Sequence, residues 1–459
     1  MSRLFGTDGV RGLANAELTP ELAFRLGRAG AYVLSKQTGD QPKIIIGTDT
    51  RRSADMLEAA LTAGMCSVGA LVYSAGVIPT PAVARLVRFY GLDAGVAITA
   101  SHNPMQDNGI KFFNGQGYKL ADSLEDEIEE CMARVDELPR PSGEGVGYRI
   151  PCETAVQDYV DFLKGVVRSV SGASDEELPR VFAGMKIALD CANGATSVPA
   201  TLVFHELGAE VYVINNDPDG TNINRGCGST HLGALTAFVR ETGADAGFAF
   251  DGDGDRMLAA DELGSEVDGD QIMSVCALDL RGKGLLARDT LVVTVMSNMG
   301  LSIMCEKHGL NIEKTAVGDR YVLERMLERG YNFGGEQSGH IIFLDHSTTG
   351  DGILSALLFL LVIKNSGERL SRLNTLMEVL PQALAGAKVA NDRKRAFSEN
   401  ERIKNAIRTL EDKYRNEGRV LIRPSGTEPL VRVLIEGKDR QEAERDAREL
   451  AGVIEEELR

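Results

Sequence analysis

Three stretches of this chain repeat one alternation of apolar strand and helix, and each repeat stops at a loop of reactive side chains. In the first, strands at 43–47 and 70–74 alternate with helices around 53–68 and 81–89, and a third strand ends at Ser101. The second runs from a strand at 185–190 through a helix at 198–207 and a strand at 210–214. Its final strand, 246–250, ends in Asp-Gly-Asp-Gly-Asp-Arg. The third has strands at 290–295, 312–316 and 331–333 with helices at 301–307 and 321–328, and ends in Gly-Gly-Glu-Gln-Ser-Gly-His. Strands alternating with helices imply mainly parallel sheets covered on both faces. Their crossovers are right-handed, and ligands bind beyond the carboxyl ends of the strands. The pattern predicts an α/β fold: three similar doubly wound domains with mainly parallel mixed sheets, each giving one loop to a central cleft.

The tail reads differently. Helices at 398–414 and 440–458 bracket strands at 420–422 and 431–436, which predicts a small α+β domain. The expected boundaries are 1–150, 151–260, 261–378 and 379–459, with linkers at 138–147 and 380–391. A length of 459 residues by itself suggests about three domains.

The net charge of −17 argues against a nucleic-acid binder but leaves room for an anionic small substrate in a local basic pocket. Seven scattered cysteines without a C-x-x-C pair suggest reduced thiols, and the first residues carry no apolar signal core. Both point to the cytoplasm. The longest apolar run, 353–363, is too short for a membrane span and reads as a buried helix.

Ser101 follows the run Ala94–Thr99 and precedes His102, Asn103 and Pro104, with Lys111 a short loop away. A hydroxyl at a strand end beside a cation suits a covalent phosphate carrier. Asp251, Asp253 and Asp255 alternate with glycines that let three carboxylates converge on a hard cation. An EF-hand would need glycine at the sixth position, where Arg256 stands, and a helix where a strand precedes the loop. Mg²⁺ held for phosphate chemistry fits better. The segment Arg423–Pro429 offers Ser425 and Thr427 hydroxyls, Gly426 N–H and the Arg423 fork to an anion, with Arg432 on the following strand. Glu336 and Ser338 suit sugar hydroxyls, and His340 suits proton movement near neutral pH. Arg11, in Phe-Gly-Thr-Asp-Gly-Val-Arg-Gly, is placed to reach a phosphate on Ser101. Apolar neighbours of Lys111 suggest desolvation and a lowered pKa. Taken singly, each loop also reads as an ordinary turn.

Together and in this order, the loops resemble the α-D-phosphohexomutase superfamily across essentially the whole chain. The wording Gly-Glu-Gln-Ser-Gly-His and Arg-Pro-Ser-Gly-Thr-Glu-Pro is most similar to its bacterial phosphoglucosamine mutase branch. Thr99 departs from the branch, which commonly has serine there, and leaves the nucleophile untouched. The resemblance implies a phosphorylated Ser101, and Mg²⁺ on Asp251, Asp253, Asp255 and a phosphoserine oxygen. It places His102, Arg256, Glu336 and Ser338 at the substrate, and Arg423, Ser425, Gly426, Thr427 and Arg432 on the phosphate that is not transferred. Lys111 and His340 are left as candidates for proton transfer and Arg11 for charge neutralisation. The implied reaction interconverts glucosamine 6-phosphate and glucosamine 1-phosphate through a hexosamine 1,6-bisphosphate, supplying amino-sugar precursor for cell walls. It involves a sugar phosphate, no nucleic acid and no membrane, with a homodimer as default. A phosphomannomutase/phosphoglucomutase is the nearest rival. A phosphosugar hydrolase, or an inactive sugar-phosphate-binding protein, represents other classes.

Overall fold

The computed structural model describes residues 3–6, 8–38, 41–415, 417–425 and 429–459, with backbone alone for residues 35, 37 and 38. They form two compact units, one of residues 1–296 and 311–376, the other of residues 297–310 and 377–459.

The first unit contains three mixed sheets. Sheet one comprises β1 (Val10–Leu13), β2 (Lys43–Thr48), β3 (Leu71–Val77), β4 (Ala94–Ile98), β5 (Asp107–Asn114) and β6 (Arg149–Pro151), in the order β1-β5-β4-β2-β3-β6. Sheet two comprises β7 (Lys186–Asp190), β8 (Glu210–Ile214), β9 (Ala246–Phe250), β10 (Met257–Asp261) and β11 (Glu266–Val267), in the order β11-β10-β9-β7-β8. Sheet three comprises β12 (Thr290–Thr294), β13 (Asn311–Thr315), β14 (Phe333–Gly335) and β15 (Ile341–Phe343), in the order β13-β12-β14-β15.

One four-strand pattern recurs in all three: β3-β2-β4-β5, β8-β7-β9-β10 and β13-β12-β14-β15. Three strands run parallel, and the fourth returns antiparallel beside the third. The central strands β4, β9 and β12 are buried along their whole length, which explains their unbroken apolar runs. Each reactive loop is the turn between a buried parallel strand, β4, β9 or β14, and its antiparallel return. The first such strand stops at Ile98, three residues before Ser101.

Packing ties the repeats together. Phe182, Phe204, Phe248 and Phe359 form a row with successive ring centroids 6.5, 5.9 and 6.5 Å apart. Phe359 belongs to the helix Gly352–Ser366, which is apolar on almost every face and correspondingly buried, as the run 353–363 predicts. Among the described residues no helix is long and apolar enough to cross a membrane. Among the described residues no cysteine forms a disulfide.

Asp351 caps that helix. Its carboxylate accepts the Leu354 N–H at 2.9 Å and the Tyr159 hydroxyl at 2.8 Å. Burial nevertheless pushes its pKa up from 3.8 to about 6, against both hydrogen bonds. A folded pKa above the unfolded one gives stability that is fully present below the unfolded value and lost as pH rises through the folded value. The shift corresponds to about 3 kcal/mol. An Asp351→Asn variant keeps an acceptor for Leu354 and Tyr159 without the charge. Its Tm relative to the parent is expected to rise between about pH 4 and 7. Parallel Tm–pH curves in calorimetry would show that this carboxyl titrates as in water.

The second unit has an antiparallel sheet of β16 (Gln382–Lys388), β17 (Arg419–Pro424) and β18 (Leu430–Glu436), in the order β16-β18-β17. Helices Glu401–Lys413 and Arg440–Glu457 cover it through a core that includes Ala383, Ile403, Val433, Leu450 and Ile454. The stretch 380–391, expected to be a linker, is mostly strand. β16 pairs with β18 from Gln382↔Glu436 to Lys388↔Leu430. Its Gln-Ala-Leu-Ala-Gly-Ala-Lys sequence has few β-branched residues, so the pairing rather than local preference makes it a strand. The helix Met299–Lys307 joins this unit: the Asn298 side-chain Oδ1 accepts the Gly300 and Leu380 N–H groups, and Glu436 accepts the Met299 N–H.

Candidate active site

Ser101 is buried, with φ of 53° in the left-handed region. A non-glycine residue there costs about 1–2 kcal/mol, so its surroundings must enforce it. Its Oγ donates to Asp251 Oδ2 at 2.6 Å and lies 3.3 Å from His102 Nδ1. The hairpin turns of sheets one and two thus meet at this hydroxyl.

Asp251, Asp253 and Asp255 are all buried, with ligand atoms within 4.8 Å of one another. Asp251 Oδ1 accepts the Arg256 N–H at 3.1 Å. Asp253 Oδ2 accepts from the Thr80 hydroxyl at 2.7 Å and Lys111 Nζ at 2.9 Å. Asp253 Oδ1 and Asp255 Oδ1 are buried without a hydrogen-bond partner among the described residues. Three like charges out of water cannot all ionise freely. Burial, Asp255 and Asp253 push Asp251 well above the usual carboxylate range. Burial also opposes ionisation of Asp255, but Lys111, His340 and Arg256 hold it far below that range. Oxygen donors, negative charge and two orphaned buried oxygens fit a hard divalent cation.

A ring of alternating charge runs through Asp255 of this cluster. Asp8 lies 3.3 Å from Lys111 and 2.8 Å from Lys119, and it also pairs with Arg11. Lys111 lies 3.7 Å from Asp255, which lies 3.7 Å from His340. The ring closes through Asp319, 3.6 Å from His340 and 2.6 Å from Lys119. Burial works to lower the pKa of Lys111, but Asp253, Asp8 and Asp255 outweigh it and raise the pKa. The sequence-based expectation of a lowered value is therefore corrected: apolar neighbours desolvate this lysine, but three carboxylates face it. Facing them, Lys111 keeps its proton and acts as a fixed cation.

His340 is balanced differently. The Gly350 N–H donates to its Nε2 at 3.0 Å, which places the proton of the neutral ring on Nδ1. Burial opposes the cation, while Asp255 and Asp319 favour it, and the net pKa shift is upward. An imidazole facing carboxylates on both sides is a side chain suited to moving a proton. His102 is the opposite case: burial, Arg256 and Arg11 lower its pKa to about 4. Its Nδ1 accepts from Arg256 at 2.9 Å, so it is a neutral acceptor near pH 7. Arg11 pairs with Asp8 beside Lys111, on a strand where Arg11 faces Gly109.

The third hairpin turn joins the same site. Met257 N–H donates to Gly339 O at 3.0 Å. Glu336 accepts the Gly318 N–H at 3.2 Å and contributes to raising the pKa of Arg256, while Ser338 is exposed. The fourth loop lies in the second unit. Arg423 stands directly opposite Arg432 in the β17–β18 register, and Ser425 is buried with its N–H on Leu430 O at 2.8 Å. Like charges directly opposite repel, so the pair suits a shared anion. Gly426 and Thr427 lie outside the described residues.

Sequence reasoning missed Asp8, Lys119, Asp319 and Thr80. Asp8 sits inside a segment singled out only for Arg11, and the other three lie in stretches with no distinctive spacing.

Comparison with known proteins covers nearly the whole chain. Four family models of phosphoglucomutase/phosphomannomutase match in order: α/β/α domain I at residues 2–139, domain II at 157–264, domain III at 268–380 and the C-terminal domain at 384–453. The phosphoglucosamine mutase of Ruminiclostridium cellulolyticum is 59% identical over 99% of both chains. That of Acetivibrio thermocellus is 57% identical over 100% of both. Among solved structures, a phosphoglucomutase/phosphomannomutase family protein of Burkholderia thailandensis shares the fold with a TM-score of 0.77 at 22% identity, covering 98% of each chain. The N-acetylphosphoglucosamine mutase of Aspergillus fumigatus, solved with GlcNAc-6P and magnesium, has a TM-score of 0.70 at 20% identity, covering 99% of this chain and 96% of that one.

Proposed function

This chain belongs to the phosphoglucosamine mutase branch of the phosphoglucomutase/phosphomannomutase family, and we propose that it interconverts glucosamine 6-phosphate and glucosamine 1-phosphate through a phosphorylated Ser101. The observation that carries the mechanism is the 2.6 Å contact between Ser101 Oγ and a cluster of three buried carboxylates.

In the first half-reaction the free sugar hydroxyl oxygen bonds to the phosphorus of phospho-Ser101. The P–Oγ bond breaks, Oγ keeps the electron pair, and the hydroxyl proton passes to a base, giving the 1,6-bisphosphate. In the second half Oγ bonds the phosphorus at the other end, that sugar P–O bond breaks, and the proton returns to the sugar oxygen. We assign the role of proton carrier to His340, whose Nε2 accepts the Gly350 N–H and whose Nδ1 faces Asp255 at 3.7 Å. Lys111 and Arg11 supply fixed positive charge near Ser101, as phosphoryl transfer requires. We assign Mg²⁺ to Asp251, Asp253 and Asp255 with a phosphoserine oxygen, where it supplies further positive charge to the transferring group.

Glu336 and Ser338 serve the sugar hydroxyls, and His102 and Arg256 the substrate. Arg423, Ser425, Gly426, Thr427 and Arg432 serve the phosphate that is not transferred. That clamp must accept the sugar in both orientations, so it grips phosphate rather than ring. Seven cysteines outside any disulfide support a cytoplasmic enzyme. Amino-sugar precursor for cell walls is the product's use, and a homodimer is the assembly we assign by default.

The test is formation of 1-phosphates from glucosamine, glucose and mannose 6-phosphates, with Mg²⁺ and a trace of bisphosphate. We expect the highest kcat/KM on the glucosamine ester. Faster turnover of the mannose or glucose ester would move the chain to the neighbouring branch. Release of inorganic phosphate would make it a hydrolase.

A further inference from the structure

Arg51 is among the largest fully buried side chains, and the mechanism above makes no use of it. It follows β2, and its Nε donates to Asp49 at 2.9 Å. The rest of the guanidinium reaches into the serine loop. It donates to the carbonyls of Ser101 at 3.0 Å, Asn103 at 2.8 Å and Asp107 at 3.1 Å, and also to that of Pro104. Asn224, from a loop of the second repeat, reaches the same turn from the other side. Its Nδ2 donates to Ser101 O at 2.8 Å and Asn103 O at 3.0 Å. Two carbonyls of one tight turn thus each receive donors from two different repeats. The metal-loop backbone closes over them: a Cβ at Gly252 would stand 2.7 Å from Ser101 O and 2.8 Å from Asn224 Nδ2.

Carbonyl oxygens gathered this closely repel one another, and a planar, permanently charged fork with five donors is the side chain suited to hold them. With the carbonyls of Ser101 and Asn103 held in this way, the serine Oγ rests on Asp251. We infer that Arg51 and Asn224 are positioning residues that lock the phosphoryl-carrying serine in its left-handed conformation and aim its oxygen at the carboxylate cluster. The inference rests on the reading of Ser101 as that carrier.

Steady-state kinetics on the full chain, together with quenched-flow labelling of Ser101 from a 1,6-bisphosphate, tests it. Arg51→Lys keeps the charge but loses the fork, and is expected to lower kcat and the labelling rate about 100-fold with KM unchanged. Asn224→Ala is expected to lower both about tenfold. Asn224→Asp has nearly the same volume but sets a carboxylate against two carbonyls, and should lose more than the alanine variant. A residue that merely fills space would give the reverse order. If Arg51→Lys does not fold by circular dichroism, the Asn224 pair decides. Wild-type kcat in Asn224→Ala and Asn224→Asp, or a loss confined to KM, overturns the inference while leaving the mutase reading intact. An unlabelled Ser101 in the wild-type protein overturns both.

Discussion

Ser101→Ala is expected to lose turnover by about 10⁴-fold or more while keeping its Tm, because the nucleophile is the one group that no neighbour replaces. Asp251, 2.6 Å away, accepts the serine proton, and its burial among like charges makes it a poor phosphoryl acceptor. His102 Nδ1 lies 3.3 Å from the serine Oγ, and Arg256 already occupies it. The alanine variant also loses one buried hydrogen bond, about 1 kcal/mol, so a large fall in Tm is not expected. The measurement pairs a discontinuous 1-phosphate assay with intact mass. A variant that turns over within tenfold of wild type, or still gains a phosphate, would remove the covalent carrier.

The second large effect is loss of the metal. Chelation should stop turnover by about three orders of magnitude, from charge that the transferring group no longer meets. A readout independent of activity is the thermal shift on adding Mg²⁺. The wild-type protein should rise in Tm with Mg²⁺ concentration, since ligand binding to the folded state alone stabilises it. Asp253→Asn should abolish that rise. It removes charge at a carboxylate whose Oδ1 is buried and unpartnered and whose Oδ2 meets Lys111 and Thr80. The unliganded variant need not be less stable, because it relieves repulsion with Asp251 and Asp255. An equal Mg²⁺ shift in variant and wild type would place the cation elsewhere.

Much of the fold is legible because buried parallel strands announce themselves. Ile44–Ile46, Ala94–Ile98, Ala246–Phe250 and Leu291–Val293 are unbroken apolar runs, and each lies in the middle of its sheet. The return strands β5, β10 and β15 are harder to see. They follow the reactive loops, and β5 carries Asp107, Asn108, Lys111 and Asn114, residues depleted in strands. β16 was hidden for a related reason, since its alanines and glycine become strand only against β18.

The site divides in the same way. Ser101 and the three aspartates were legible because glycine or proline spacing singles them out near a strand end. The ring of Asp8, Lys119 and Asp319 was not, because its members come from distant stretches and become a unit only when the first and third repeats meet. Lys111 shows the limit of local reading. Its neighbours Ile110, Phe112 and Phe113 are apolar as expected, but carboxylates from two other segments set its charge.

The central claim is that one phosphate group passes between Ser101 and the sugar. A single-turnover chase tests it most directly: protein carrying isotopically labelled phosphate on Ser101 is mixed with unlabelled glucosamine 6-phosphate and quenched over time. The account predicts that label leaves Ser101 and enters the sugar bisphosphate and then the 1-phosphate, at a rate no slower than kcat. Label retained on the protein while product forms, or released as inorganic phosphate, would contradict it.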